Sequence, residues 1–206
     1  MNGMDNKLEL FFVRHGETEW NREGRLQGWL DSPLTPNGIR QINRLKEQLK
    51  EICFDAAFSS TSERAFHTAQ LLAGYDLTIK KDERLLEIHL GSWQGKRIVD
   101  IETFDAERYA HYCHQPEKYI PDTGESFQQV IQRMNNFLEY CESSFSEGKI
   151  LVISHGVAIR ALIISILQLP INHIWDFEID GASVTKIVSF KKQRMIEYIG
   201  KTDFLE

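Results

Sequence analysis

The stretch LELFFVRHG, residues 8–16, places a mostly apolar run directly before an arginine, a histidine and a glycine. The segment KILVISHG, residues 149–156, repeats this design late in the chain. A short apolar run that ends at polar residues and a glycine is typical of a buried strand followed by a loop or a helix. We therefore predict strands at 8–13 and 149–154, each followed by a histidine.

Further strands and helices are predicted around these two segments. Thr35 is placed as the N-cap of a helix with Pro36 at its first position, where the missing N–H of proline is harmless. Three more helices are predicted at 63–73, 126–145 and 157–169. Three more strands are predicted at 56–59, 184–190 and 195–199. Strands that alternate with helices predict an α/β layered fold with a largely parallel sheet that can be mixed at one edge.

The composition describes an ordinary globular chain. Its 206 residues are 42% hydrophobic and 26% charged, with a formal net charge of −6. This length predicts a single domain spanning residues 1–206 with a substantial core. Because no basic excess exists, nucleic acid and acidic membranes are poor partners, and any bound anion must be attracted by a few local cations.

The cysteines and the apolar segments indicate a cytoplasmic protein. Cys53, Cys113 and Cys141 are widely separated, and an odd, sparse set of cysteines favours a reducing compartment over a disulfide framework. The first ten residues contain no apolar signal core. The stretch 150–169 is about long enough to cross a bilayer. We predict instead that it is a core strand and helix, because His155 and Gly156 interrupt it.

Cationic and imidazole side chains are predicted to meet at one edge of the sheet. In a parallel α/β sheet, ligands bind outside the carboxyl ends of the strands, where Arg14, His15 and His155 are placed. Arg64 belongs there as well, since it opens a helix after a strand. Gly156 allows close backbone approach, and the helix that begins near it could aim free N–H groups at an anion.

This set of groups suits a phosphoryl group. The planar fork of arginine donates to two oxygens at once. A neutral imidazole held in one tautomer can attack phosphorus and form a covalent intermediate. The leaving alcohol then needs a proton, for which a carboxylic acid is the natural donor. These residue types therefore predict phosphoryl transfer through a histidine.

Four motifs, in order along the chain, resemble those of the histidine phosphatase superfamily, which includes the cofactor-dependent phosphoglycerate mutases. They are RHGET at 14–18 followed by WN at 20–21, then SS at 59–60 with RA at 64–65 and TA at 68–69, then LEI at 86–88 with GSWQG at 91–95, and finally SHG at 154–156. The resemblance is greatest to bacterial broad-specificity, PhoE-like phosphatases, through QGW at 27–29, DSPLT at 31–35 and EIHLG at 87–91. It implies a three-layer α/β/α fold of the phosphoglycerate mutase type.

The resemblance also implies a role for each matching residue. His15 is the nucleophile that becomes phosphorylated, and Glu87 is the general acid and base. Arg14, Arg64 and His155 hold the phosphoryl oxygens and stabilise charge in the transition state. Asn21 and Gln27 add neutral hydrogen bonds to the phosphate or to the leaving-group side, and Gly156 belongs to the substrate-binding residues. No metal and no cofactor are implied, because arginines and histidines supply the compensating charge.

The activity expected on this basis is hydrolysis of small phosphate monoesters. A phosphoglycerate mutase (an isomerase) and a narrow-specificity phosphatase, such as an α-ribazole phosphatase, stay open as alternatives. The segment 104–124 is predicted to be a short aromatic lid whose only formal cations are Arg108 and Lys118. Such a lid favours partly apolar alcohols over a second phosphate. A catalytically silent protein of the same fold is disfavoured, since all four residues that it would be expected to have lost are present, namely His15, Arg64, Glu87 and His155.

Several of the polar residues could have a structural role instead of a role in the reaction. Asn21 and Gln27 could simply stabilise loops. Arg160 is expected to pair with a carboxylate or to reach the surface. His111 and His114 have the spacing of metal ligands, but a helix surface or a lid contact is favoured because no second ligand cluster accompanies them. The physiological substrate and the oligomeric state are left open.

Overall fold

The computed structural model describes residues 7–74 and 77–203, which contain one six-stranded sheet of order β3-β2-β4-β1-β5-β6. The strands are β1 (Leu8–Arg14), β2 (Ala56–Ser59), β3 (Ile79–Lys81), β4 (Gly148–Ser154), β5 (Val184–Phe190) and β6 (Gln193–Lys201). The first four pair in parallel, whereas β5 and β6 are antiparallel and form one edge. The predicted α/β class, with a largely parallel sheet mixed at one edge, is confirmed.

Seven α-helices lie within the described residues. They are α1 (Glu19–Arg22), α2 (Pro36–Leu49), α3 (Glu63–Ala73), α4 (Ile98–Phe104), α5 (Ala106–His114), α6 (Phe127–Ser144) and α7 (Gly156–Ile166). The hydroxyl of Thr35 accepts the Gly38 N–H and caps α2, which begins at Pro36 as predicted. The predictions for α3, α6 and α7 are confirmed to within a few residues at their ends.

Alternation along the central strands explains the three layers. Successive strand side chains point to opposite faces. Leu10 and Phe12 of β1 therefore join the cluster that contains the apolar residues of α6 and α7, whereas Phe11 and Val13 join the cluster that contains those of α2 and α3. Each face of the sheet is covered by helices, which gives the expected α/β/α arrangement.

Four short strands and α-helices were not predicted, of which the four-residue α1 is one. The strand β3 has three residues and lies at the open edge of the parallel part, so its sequence carries little periodicity. The helices α4 and α5 make up most of the segment 98–114, where aromatic and charged residues mix. No helix within the described residues is long and apolar enough to cross a membrane.

Candidate active site

His15 and His155 lie side by side at the carboxyl ends of β1 and β4. Their ring centroids are 5.2 Å apart. The two strands are parallel neighbours, with Arg14 in register with Ser154, so the residue that follows each strand emerges at the same edge. The predicted meeting of the two histidines is confirmed.

The His15 imidazole is held in one tautomer. Its Nδ1 lies 2.8 Å from the carbonyl oxygen of Gly16. Because a carbonyl only accepts, we assign the proton to Nδ1, which leaves a lone pair on Nε2. The side chain is only 3% exposed, and burial together with the guanidinium groups of Arg64 and Arg14 holds the pKa of His15 well below 6.5. The ring is therefore neutral near pH 7, with Nε2 available to attack an electrophile.

Arg64 connects the two histidines through one guanidinium. It donates from Nε to His15 Nε2 at 3.3 Å and from an Nη to His155 Nδ1 at 3.2 Å. Its remaining donors bind the carbonyl oxygens of Gly28 and Leu30 and a carboxylate oxygen of Asp31. The loop that precedes α2 thus fixes the cation, and the two N–H groups that face the histidines are those available to a ligand.

The placement of Arg64 depends on how α3 begins. The sequence offered serines as caps, but Ser62 at the N-cap makes no side-chain capping hydrogen bond. Asp31 takes this part instead, since its carboxylate accepts the backbone N–H groups of Glu63 and Arg64. One carboxylate therefore caps the helix and neutralises its first arginine.

His155 supports Arg64 in this geometry. Its Nδ1 accepts from Arg64, so its Nε2 carries the proton and donates to the hydroxyl of Ser60 at 2.8 Å. Burial, Arg64 and His15 hold the pKa of His155 well below 6.5. In this tautomer Nδ1 carries no proton, so a hydrogen bond from Nδ1 to a phosphoryl oxygen requires the other tautomer, in which the Ser60 hydroxyl donates to Nε2, or the imidazolium.

Arg14 contributes a second guanidinium. One Nη donates to the carbonyl of Ile179 at 2.7 Å, while Nε is buried and has no partner within the described residues. A Cβ added at Gly156 would lie 3.6 Å from this Nε and 3.1 Å from an Nη of Arg160. The absence of a side chain at Gly156 therefore leaves room for two guanidinium groups beside the histidines.

The carboxyl group of Glu87 lies at the N-terminus of α7. It accepts the backbone N–H groups of Val157 at 3.2 Å, Ala158 at 3.1 Å and Ile88 at 2.9 Å. The expectation that α7 offers several free N–H groups to an anion is therefore wrong for Val157 and Ala158, because Glu87 already occupies them. Only the N–H of Gly156, in the first turn, has no protein partner among the described residues.

The two predicted amides differ in how they are held. The Asn21 carbonyl oxygen accepts from the backbone and the hydroxyl of Thr18, which closes a capping box at α1. Asn21 thus stabilises its own loop, and it also lines the cavity that is described below. Gln27 is buried, and its Oε1 has no partner within residues 7–74 and 77–203. Gln27 therefore offers a polar group to the same cavity.

A cavity of about 430 Å³ adjoins these residues. Beyond the polar groups, its walls are apolar and aromatic, formed by Leu26, Ile88, Leu90, Tyr109, Tyr112, Val157 and Trp175. Tyr109 and Tyr112 come from α5, so part of the predicted lid does face the cavity. The two formal cations of that segment do not: Arg108 pairs with Asp105 and Asp122, and Lys118 is exposed.

Arg160 belongs to the lining of the cavity, which the sequence did not predict. It lines the cavity, its Nε donates to the carbonyl of Phe177 at 2.8 Å, and its guanidinium lies 5.5 Å from the centre of the Trp175 ring. No carboxylate pairs with it in the described part of the chain. Its position four residues after Gly156 on α7, one turn from the helix start, was the available signal.

The described residues offer no metal-binding site. No group of three or more His, Cys, Asp or Glu side chains that could hold a metal ion occurs there. His111 and His114 lie in the last turn of α5, where His111 is half-buried and His114 is exposed.

The chain is similar to curated proteins over most of its length. The Adenosylcobalamin/alpha-ribazole phosphatase of Escherichia coli (strain K12) is 34% identical over 174 residues, which cover 84% of this chain and 86% of that protein. The Probable phosphoglycerate mutase GpmB of Escherichia coli O139:H28 (strain E24377A / ETEC) is 36% identical over 168 residues, covering 79% and 76%. The chain thus has relatives named as phosphatases and as mutases.

The fold and the family agree as well. The solved structure of Bacillus stearothermophilus YhfR is 36% identical and superposes with a TM-score of 0.91, over 94% of this chain and 97% of that one. The model of the Histidine phosphatase superfamily (branch 1) matches residues 10–202, which contain both histidines, both arginines and Glu87. The chain therefore belongs to the histidine phosphatase superfamily.

Proposed function

We propose that this chain hydrolyses small phosphate monoesters through a phosphohistidine on His15, with Glu87 as general acid and base and without a metal ion. The observation that carries the proposal is the His15 ring, which is neutral, fixed in one tautomer and directed with Nε2 at the Arg64 guanidinium. A nucleophile beside a buried cation is the arrangement that in-line phosphoryl transfer requires.

In the first step the Nε2 lone pair of His15 attacks phosphorus and the ester P–O bond breaks. The N–H groups of Arg64 that contact the two histidines turn to the phosphoryl oxygens, joined by Arg14 and by the amides of Asn21 and Gln27. The leaving oxygen takes its proton from Glu87, and the alcohol departs.

In the second step Glu87, now a carboxylate, draws a proton from a water molecule. The water oxygen attacks phosphorus as the P–N bond breaks, which releases inorganic phosphate and restores neutral His15. Arg14 and Arg64 supply positive charge throughout, so a divalent cation is not needed to offset the charge of the transferred group.

The walls of the cavity support a phosphatase with an uncharged or weakly charged leaving alcohol. The lid contributes Tyr109 and Tyr112, and Trp175 closes the same side. Apolar walls of this kind bind alcohols by burial of apolar surface. They hold a second phosphate poorly.

One observation favours the second candidate, a mutase or a phosphatase for an acidic alcohol. Arg160 brings to the cavity a cation that lacks a carboxylate partner among the described residues, and Arg25 lines the cavity too, although it pairs with Glu23. These groups could hold a carboxylate or a second phosphate.

Substitution of the nucleophile tests the proposal directly. We expect His15→Ala to abolish turnover, with phosphate release falling by at least about 10³-fold, because the covalent route is lost. The wild-type chain, quenched during turnover of a ³²P-labelled ester, should carry an acid-labile phosphohistidine that His15→Ala lacks. An unchanged rate in His15→Ala contradicts the mechanism.

The second candidate is tested by its products. Incubated with 3-phosphoglycerate, a phosphatase releases inorganic phosphate in step with loss of substrate. We expect this outcome, followed by phosphate assay and by NMR of the products. Efficient conversion to the 2-isomer with little free phosphate would assign the chain to the mutases.

A further inference from the structure

Arg133 contacts the backbone of the loop that carries Glu87. It lies on α6 and forms a bidentate pair with Glu125, from Nε to Oε1 at 2.8 Å and from an Nη to Oε2 at 2.9 Å. The remaining N–H groups donate to the carbonyl oxygens of Arg84 at 2.8 Å, Leu86 at 2.5 Å and Glu87 at 2.9 Å. All five donors of this guanidinium are therefore used, and three of them hold the main chain next to Glu87.

Glu125 holds the other side of the same loop. Its Oε2 accepts the backbone N–H of His89 at 2.9 Å, and its own backbone N–H donates to the His89 carbonyl at 2.8 Å. The Glu87 carbonyl accepts a further hydrogen bond from Trp29 Nε1 at 2.8 Å. Arg133 and Glu125 thus bind the backbone on both sides of Glu87.

The segment around Glu87 has no regular secondary structure. Residues 86–90 belong to no helix or strand, so no ladder of backbone hydrogen bonds fixes them. Arg133 and Glu125 do not line the cavity next to His15; with Arg84 and Leu86 they line a separate cavity of about 520 Å³ on the other side of the loop. Neither side chain is therefore placed to touch a substrate, and any effect on the reaction must pass through the loop that carries Glu87.

We propose that Arg133, together with Glu125, is a positioning residue that holds the carboxyl group of Glu87 in place for proton transfer to the leaving oxygen. The inference rests on the proposed function, in which Glu87 is the acid. A displacement of about 1 Å in a reacting group can slow a reaction about 100-fold, so loss of three carbonyl contacts beside Glu87 should act on proton transfer.

The experiment compares two substrates that differ in their need for an acid. An alkyl phosphate requires protonation of its leaving oxygen, whereas 4-nitrophenyl phosphate releases 4-nitrophenolate, which is a stable anion without protonation. The parameter measured is kcat/KM, which reports the step that forms phosphohistidine and excludes its later hydrolysis. In Arg133→Gln we expect kcat/KM for the alkyl ester to fall about 10- to 100-fold, and that for the aryl ester to fall less than about threefold.

The chain offers a matched control in Arg194. On the edge strand β6 it forms a bidentate pair with Glu142, and an Nη lies 3.4 Å from Asn135 Oδ1. Its side chain is 22% exposed against 15% for Arg133. Arg194→Gln should lower thermal stability similarly and leave the ratio of the two kcat/KM values unchanged. Arg133→Lys should recover part of the activity on the alkyl ester that Arg133→Gln loses. If Arg133→Gln does not fold, Glu125→Gln takes its place and should show the same pattern.

Glu87→Gln separates the two proposals. If Glu87→Gln shows the leaving-group dependence but Arg133→Gln slows both esters equally or neither, the positioning role is wrong and the proposed acid stands. If Glu87→Gln shows no such dependence, the acid assignment itself fails, and positioning fails with it. In the double variant, Arg133→Gln should add nothing to the alkyl defect of Glu87→Gln. A fully additive defect, or an altered ratio in Arg194→Gln, overturns the inference.

Discussion

His15 owes its state to three neighbours. The Gly16 carbonyl holds the proton on Nδ1, while Arg64 and Arg14 oppose a second proton and burial removes the solvent that would stabilise it. The identity of these residues is visible in the chain as RHG and in the later arginine. Their mutual distances are set only when β1 and α3 come together.

The environment of Arg160 cannot be predicted from the sequence of its own helix. On a nearly all-apolar helix, an arginine is ordinarily expected to reach a carboxylate or the solvent. Here the side chain is half-buried beside the Trp175 ring and lines the cavity. That environment depends on residues outside α7, so the sequence of α7 does not encode it.

At this scale we predict a substrate-dependent loss in Arg160→Met. For a phosphate ester whose alcohol carries a carboxylate, kcat/KM should fall about 10-fold or more, the size of a charge-assisted hydrogen bond. For an uncharged alkyl phosphate the change should stay within about threefold. Steady-state assays on the two esters measure this. Equal losses on both would show that Arg160 only supports the fold.

At the scale of elements, the first turn of α2 is fitted to the loop that follows His15. A Cβ added at Gly38 would overlap the Glu17 carbonyl oxygen and lie 2.8 Å from the Glu17 nitrogen. The Thr35 hydroxyl donates to a carboxylate oxygen of Glu17 at 2.6 Å, so helix start and catalytic loop are joined. Gly16 serves the same contact: a Cβ there would lie 2.8 Å from the Gly38 carbonyl oxygen.

We therefore predict that Gly38→Ala destabilises the protein. Helix propensity alone would favour alanine by about 1 kcal/mol. Overlap with backbone atoms should outweigh this and lower the free energy of unfolding by about 1–3 kcal/mol. Urea denaturation measures the change, and Asn43→Ala, at an exposed position of the same helix, is the control. A gain in stability at Gly38→Ala would contradict the described packing.

At the scale of the whole molecule, folding keeps two histidines uncharged inside a cluster of cations. His15 is 3% and His155 0% exposed, and the pKa of each is held well below 6.5, first by burial and then by Arg64. In the unfolded chain the pKa values of both histidines return to that of an ordinary histidine. Below about pH 6.5 the unfolded state therefore binds more protons than the folded state.

Stability should accordingly fall as the pH is lowered from 7 to 5. The sign follows because unfolding takes up protons, and each histidine contributes a slope approaching about 1.4 kcal/mol per pH unit. Urea denaturation at several pH values measures it. His15→Asn and His155→Gln each remove one titrating group and should flatten the curve. A curve as steep in both variants as in the parent would show that the histidines are not held neutral.

Local sequence patterns are sufficient to predict the elements that end at the candidate site residues. Apolar runs of strand length before Arg14 and His155, and the Thr35-Pro36 helix start, are local signals that need no distant partner. The order of strands and helices then placed both histidines at one edge, since parallel strands share a direction.

The pairing of donors and acceptors follows instead from the packing of distant segments. The Glu87 carboxyl takes two N–H groups of α7, Asp31 replaces the serines as the cap of α3, and Arg133 holds the loop behind Glu87. Each is a contact between residues far apart in the chain. Because hydrogen bonds require atoms within about 3 Å in a defined direction, such pairings arise only from the packing of whole elements.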